Sequence, residues 1–373
     1  MVVILYPVIN ILYEDIKNTN FKVSDPTIFE IMRDNVKFEF LISYKTGSEA
    51  IILGTGNAHR EKYPLPIFVR HSWTKDFKQT SIFYADPTLY YSDLSLTWYY
   101  GTNKRWYLEE IADIVKLILD SLNINVNDTL CFGSSGGGYS SLILAILLKT
   151  KATVINPQCN ILNYNQDYLS KFSEAVADKG GGLVTNRLNV VEIMKMFNYM
   201  PYIHYIQNVK SKYDLKDQLF PFLKALDENN IYCSEKLLVD FYSDLGGHNA
   251  MPSKAYCLKV IESDLNKEAY MDKPLFLSDD FITTIDGCGI TTEINYSNKL
   301  LSIDIVQENN SYSFKYAYYL LDMNNVTIEK KGYSEKRHCD FKILRSGKYR
   351  IKYFITINNQ RYSFLSELID CTG

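Results

Sequence analysis

The chain has 373 residues, of which 46% are hydrophobic and 22% charged, and its formal net charge is −3 at pH 7. At roughly 100–200 residues per domain this length implies about two domains, and the interspersed acids and bases exclude a phosphate-backbone footprint or a polybasic membrane tether, so nucleic acid is not an expected partner. No stretch reaches the roughly 20 apolar residues of a membrane span, and seven cysteines without paired spacing fit reduced thiols in a cytoplasmic protein better than a disulfide framework or a zinc site.

Residues 1–13 are apolar, but they contain Pro7 and Asn10 and lack both a basic lead and a small-residue cleavage site, so they read as a strand rather than a signal peptide. Residues 37–44 alternate as a half-buried strand does, and a Lys-Thr-Gly-Ser turn before Glu49-Ala-Ile-Ile-Leu-Gly predicts an antiparallel pair. Residues 66–73 and 81–87 run through β-branched and aromatic positions into polar or turn residues, as parallel strands do when their C-terminal edge opens on a site. Over residues 107–122 the spacing of Leu108, Ile111, Ile114, Val115, Ile118 and Leu122 predicts a helix with one apolar face. Residues 129–148 then read as a buried strand, a glycine-dense turn and an apolar helix. Strands follow at 152–158, ending in Asn156-Pro157-Gln158, at 202–207 and at 236–242, with a helix around 219–226 before the last of them. Between 159 and 200 the pattern loosens around Gly180-Gly181-Gly182 and a helix at 190–197; this insertion reads either as a hinged cap over a pocket or as an ordinary surface excursion.

This alternation predicts an α/β doubly wound, mostly parallel sheet over residues 1–270 with an antiparallel start. From about residue 275 the helical period disappears. Alternating strands at 300–306, 312–320, 326–329 and 348–357, separated by Asn-Asn, Gly and Ser turns, predict a small antiparallel β-sandwich over 275–373. Ser346-Gly347-Lys348-Tyr349 is similar to the corner tyrosine of immunoglobulin-like domains, and the expected role of this domain is to brace the first or to meet a partner.

The chemistry is concentrated in the glycine-dense turn, where Gly133-Ser134-Ser135-Gly136-Gly137 fits G-x-S-x-G. A serine on a tight strand-to-helix turn needs neighbours without Cβ atoms, and the helix that starts behind it leaves backbone N–H groups, first that of Gly136, free to face an oxyanion. A serine hydroxyl is a poor nucleophile at neutral pH and needs an imidazole base held by a carboxylate. His248 is the best base, in a flexible Gly-Gly-His-Asn loop after the last strand, whereas His204 lies inside an apolar strand and reads as a core or wall residue. Asp214 follows the penultimate strand and is favoured as the acid over Asp217, Asp240 and Asp244. Both placements match the Ser, Asp, His chain order of α/β-hydrolases, with acid and histidine after the last two strands. The backbone around Arg70, His71 and Ser72 is the expected second oxyanion donor. Arg70, Trp73, Trp98, Tyr99, Asn156 and Gln158 are placed near the same sheet edge, where aromatic faces with amide and guanidinium donors suit a sugar or a carboxylated glycan.

With Phe132-Gly-Ser-Ser-Gly-Gly-Gly138, Asn156-Pro157-Gln158, Gln207-Asn208 leading to Asp214, and Gly246-Gly247-His248, residues 37–265 resemble the α/β-hydrolase superfamily. More narrowly they resemble bacterial surface-polysaccharide and glycoprotein O-acetyltransferases, including those of accessory secretion systems. The resemblance implies Ser135 as the acylated nucleophile, His248 as base and Asp214 as its orienting acid. It also implies acetyl-CoA as co-substrate, with no resident cofactor or metal. The expected activity is O-acetylation of a capsular or surface glycan in the cytoplasm, within reach of polysaccharide-synthesis or secretion proteins. A carbohydrate esterase with the same triad and a non-catalytic glycan-binding or assembly module are the alternatives.

Overall fold

A computed structural model describes residues 6–57, 60, 62–177, 182–231, 236–267, 283–285, 288–307, 314–324, 326–357 and 360–372. Contacts divide the chain into two compact units, Met1–Phe276 and Leu277–Gly373.

The first unit is built on a nine-stranded sheet. Its strands are β1 (Val8–Leu12), β2 (Thr27–Arg33), β3 (Val36–Ser43), β4 (Ala50–Gly54), β5 (Thr80–Tyr84), β6 (Thr129–Ser134), β7 (Lys151–Ile155), β8 (Tyr202–Asn208) and β9 (Leu237–Tyr242), in spatial order β1-β2-β3-β5-β4-β6-β7-β8-β9. Only β3 runs against its neighbours, pairing antiparallel with β2 and β5, and every pair from β5 to β9 is parallel. Strands β4, β7 and β8 are buried along their whole length, the pattern of a parallel sheet covered on both faces. The antiparallel strand β3, the crossed pair β5-β4 after it and a parallel run to the far edge make this the α/β-hydrolase fold.

Helix α1 (Tyr107–Leu122) turns Leu108, Ile111, Ile114, Val115, Ile118 and Leu122 into the core, and Asn123 ends it in the left-handed conformation at φ 57°. Helix α2 (Gly136–Leu148) is buried nearly all round, as its unbroken apolar run requires. Residues 159–200 carry α3 (Gln166–Val176) and α4 (Val190–Phe197), whose Phe172, Val190 and Ile193 sink into the main core. Gly180 and Gly181 of the expected hinge lie outside the described residues. Helices α5 (Phe220–Glu228) and α6 (Lys254–Leu265) complete the unit.

Two predicted elements differ from what is observed. Strands β3 and β4 do not form a hairpin, because β5 lies between them and β4 runs parallel to it; alternation marks a strand but does not name its neighbour. Residues 66–70 form no strand but a turn leading into a 3₁₀ helix, His71–Lys75. Pro64 and Pro66 lack the N–H a central strand must donate, and Arg70 adopts a left-handed φ of 66°.

The second unit has two antiparallel sheets, one ordered through β10 (Thr283–Ile285), β11 (Cys288–Ser297), β12 (Leu300–Gln307) and β15 (His338–Lys342), the other through β14 (Thr327–Ser334), β13 (Lys315–Asp322), β16 (Lys348–Ile357) and β17 (Gln360–Leu365). Alternate residues of both, among them Leu301, Ile303, Tyr316, Tyr318, Phe341, Ile351 and Ile355, form one core. The Tyr349 hydroxyl donates to Arg345 O at 2.6 Å, four residues upstream, the local bond that corner tyrosines make.

One polar cluster joins α6 to the sheet. His204 on β8 is buried, with Nδ1 2.8 Å from Asp264 Oδ2 and Nε2 3.0 Å from Asp240 Oδ2, while Thr153 Oγ1 donates to the same Asp264 oxygen at 2.6 Å. Burial disfavours the imidazolium, but the two carboxylates outweigh it and raise the His204 pKa above its ordinary value. A folded-state pKa above the unfolded one stabilises fully below the unfolded value and is lost as pH rises through the folded one. Asp264→Ala, which leaves His204 Nδ1 and Thr153 Oγ1 without their partner, is therefore expected to cost about 3 kcal/mol near pH 6, with the cost shrinking as pH rises. Urea unfolding followed by tryptophan fluorescence checks this, since Trp73, Trp98 and Trp106 all lie in the first unit; a penalty that grew with pH would contradict it.

Candidate active site

Strand β6 ends at Ser134 and α2 begins at Gly136, so the chain reverses through Ser135, at φ 54° and ψ −126°. A residue with a side chain persists in this region only where its surroundings fix it. Ser135 N–H donates to Ile155 O of β7 at 3.1 Å, and the Ser135 carbonyl accepts from Tyr139 and Gln158 N–H at 3.1 and 3.2 Å. The reversal presses the first turn of α2 onto neighbouring backbone. A Cβ on Gly133 would collide with the Gly137 carbonyl, and one on Gly137 would stand 2.6 Å from Gly54 O and 3.0 Å from Gly56 N.

His248 faces Ser135, with Nε2 2.9 Å from Oγ, and its Nδ1 lies 2.9 and 2.7 Å from Asp214 Oδ1 and Oδ2. A carboxylate only accepts, so Nδ1 carries the hydrogen and the Nε2 lone pair accepts from the serine hydroxyl. Asp214 is fully buried and opens a π-helical turn, Asp214–Leu219, a local distortion frequent at functional sites. Gln218 on that turn accepts from Cys159 and Asn160 N–H at 2.7 and 3.0 Å, which ties the acid to the chain that follows β7.

The loop carrying His248 is held by buried amides. Asn208, at the end of β8, donates from Nδ2 to Asp244 O and Gly247 O, both at 2.8 Å, and accepts at Oδ1 from Asp244 N–H at 3.0 Å. Asn156 donates to Tyr242 Oη at 2.8 Å and to His248 O at 3.3 Å, and its Oδ1 accepts from Asn208 N–H at 2.8 Å. Burial pushes the Tyr242 phenol up to about 12, so it stays protonated and donates to Ala250 O at 2.6 Å.

A cavity of about 460 Å³ opens over Ser135 and His248, lined also by Gly56, Asn57, Arg70, Leu96 and Met251. Of the residues expected to contact substrate, Arg70 lines it and the rest do not. Trp98 is buried behind it and donates from Nε1 to Gln158 Oε1 at 2.6 Å. Tyr99 is buried with its hydroxyl bonded to the Thr55 backbone, Trp73 packs beside Arg70, and Asn156 braces the histidine loop. His71 also departs from expectation: its N–H donates to Phe68 O at 3.3 Å and its ring accepts from or donates to Tyr6 Oη at 2.9 Å, so neither faces the cavity. The backbone beside Gly136 belongs to Gly56 instead, whose added Cβ would stand 3.6 Å from Gly136 N. Gly56 and Asn57 follow β4 directly, the place from which this fold brings its second oxyanion donor. The sequence signal was Gly54-Thr-Gly56-Asn57, a glycine pair closing a buried strand.

No protein-family profile and no curated protein matches the sequence. Among solved structures the chain is similar to the capsule O-acetyltransferase of Neisseria meningitidis serogroup A, at 16% identity over 66% of this chain and 99% of that one, with a TM-score of 0.45. It is also similar to the Est2 esterase of Thermogutta terrifontis, at 10% identity over 62% and 89% with a TM-score of 0.42, and to an esterase of Rhizomucor miehei, at 16% over 66% and 83% with a TM-score of 0.42.

Gly137→Ala is expected to destabilise the first unit by about 1–3 kcal/mol, because the atoms its methyl meets are backbone and cannot rotate away. Gly182→Ala, with nothing within 4 Å of its Cβ, is the control; equal melting shifts for the two would contradict the close approach at the elbow.

Proposed function

We propose that this protein is a serine acyltransferase that moves an acetyl group from acetyl-CoA to a hydroxyl of a capsular or other surface glycan. The observation that carries the reading is the unbroken chain of contacts from Ser135 Oγ through His248 to buried Asp214. Ser135 Oγ attacks the thioester carbonyl while its proton passes to His248 Nε2, and Asp214 stabilises the imidazolium that forms. The oxyanion meets the Gly136 N–H and the backbone of Gly56–Asn57. Collapse breaks the C–S bond, and the departing thiolate takes the proton from His248. A sugar hydroxyl then repeats the sequence on the acyl-enzyme: His248 accepts its proton, the sugar oxygen forms the new ester, and the proton returns to Ser135.

The glycan acceptor rests on the resemblance of the motifs around Ser135, Asn156, Asp214 and His248, and a cytoplasmic location fits the free, buried Cys131, Cys159, Cys257, Cys339 and Cys371. Among the described residues no helix is long and apolar enough to cross a membrane.

A fluorophosphonate probe is expected to label the wild type at Ser135 and to leave Ser135→Ala unlabelled. Acetyl transfer from acetyl-CoA to surface oligosaccharides, read by mass and by release of CoA, should fall by a factor on the order of 10³ or more in Ser135→Ala. Release of acetate from acetylated glycan without dependence on CoA would assign hydrolysis instead, and a fully active alanine variant would sink the assignment of the nucleophile.

A further inference from the structure

The cavity over Ser135 contains a cation with no counter-charge. Arg70 Nη2 donates to Ser134 Oγ at 2.7 Å, next to the nucleophile in the chain, and lies 3.7 Å from Met251 Sδ. Its guanidinium carbon sits 5.6 Å from the centre of the Trp73 ring and 5.4 Å from that of Phe132, so aromatic faces hold the head group where the left-handed backbone directs it. Other arginines of this unit find acceptors outside the cavity: Arg33 pairs with Glu110 and Asp113, Arg105 pairs with Glu110, and Arg60 and Arg187 donate to backbone carbonyls. Among the described residues no carboxylate stands within ion-pair distance of Arg70, and apart from Arg70 and His248 the cavity lining is uncharged. Burial pulls the Arg70 pKa below its ordinary value, the expected sign for a cation that has lost water without gaining an anion. A partly desolvated charge without a partner is costly, and a ligand anion that pairs with it recovers much of that cost.

We infer that Arg70 binds an acidic acceptor, so that the glycan acylated at Ser135 carries a carboxylate or a phosphodiester beside the reacting hydroxyl. The inference rests on the acyl-transfer reading for what the ligand is, and on the geometry of Arg70 alone for its charge. The donor does not supply this anion: in acetyl-CoA the phosphates stand a full pantetheine arm away from the thioester carbonyl, whereas Arg70 bonds to the residue preceding the nucleophile. The acetyl group itself is uncharged. The alcohol half of the ester is what remains, and its guanidinium partner can engage two oxygens at once.

By microscopic reversibility the alcohol half of a hydrolysed ester occupies the acceptor position. The test therefore compares 3-acetoxybenzoate with its methyl ester as substrates, and 3-hydroxybenzoate with methyl 3-hydroxybenzoate as ligands of the Ser135→Ala protein by calorimetry. The wild type should prefer the charged ester in kcat/KM by about 10-fold to 100-fold, the range of a charge-assisted hydrogen bond. Arg70→Met should bring that ratio to about one, and Arg70→Lys, which keeps the charge and loses the fork, should restore part of it. The Ser135→Ala protein should bind the acid more tightly than its ester, and the Ser135→Ala/Arg70→Met protein should not. Selective binding of the acid without turnover of either ester would overturn the acyl-transfer reading and leave the anion site standing. Equal binding of acid and ester, or a preference that survives in Arg70→Met, would overturn the anion site whatever the activity.

Discussion

The contact on which the site depends is the approach of α2 to the strands beside it. Because Gly137 lies against the backbone of Gly54 and Gly56, the helix can start immediately after β6, and Ser135 is forced into a positive-φ conformation. The conformation is unfavourable by about 1–3 kcal/mol. It is held by hydrogen bonds on both sides of the residue, from its N–H to Ile155 and to its carbonyl from Tyr139 and Gln158. The same packing sets the first N–H of α2 beside the loop after β4, so the Ser135 hydroxyl and the Gly136 N–H are fixed by one backbone arrangement. Neither can shift without the other.

The base needs different support, since it comes from a loop rather than from regular structure. Loops keep a fixed shape when their backbone groups find partners inside the protein. Asn208 and Asn156 provide these from the ends of two parallel strands, each bonding to several backbone groups of the segment 244–250 and to one another. The acid is fixed in a third way, through a π-helical turn that Gln218 ties to the chain after β7. The supports of His248 and Asp214 come from the C-terminal ends of β7 and β8, and those of Ser135 from the ends of β4 and β7.

This division explains what the sequence could and could not reveal. Ser135, Asp214 and His248 were legible because glycine spacing and position after a strand are one-dimensional properties, and α1, α2 and α4 were legible from apolar spacing. Trp98, Tyr99 and Gln158 were correctly placed near the sheet edge, but how deep a side chain sits depends on what covers it. Here Tyr164, Tyr168 and Phe172 pack edge-on around Trp98 and seal it from the cavity. His71 departed for another reason: the apolar run 66–73 imitated a strand, so the expected donor was placed late in the β4–β5 connection rather than at its start, by Gly56. Asn208 was quoted only as part of a motif. Its role as the pin of the histidine loop exists only when residues far apart in the chain meet.

The charges of the site bear on one another as well. Asp214 is buried and bonded to His248, so the contact that orients the imidazole is already made inside the protein. Arg70, on the wall of the same cavity, has no such carboxylate within ion-pair distance among the described residues. An anion entering the cavity therefore meets that charge beside the residue that precedes Ser135 in the chain. Under the acyl-transfer reading, an acidic acceptor seated on Arg70 keeps its hydroxyl next to the elbow, whereas water gains no such hold.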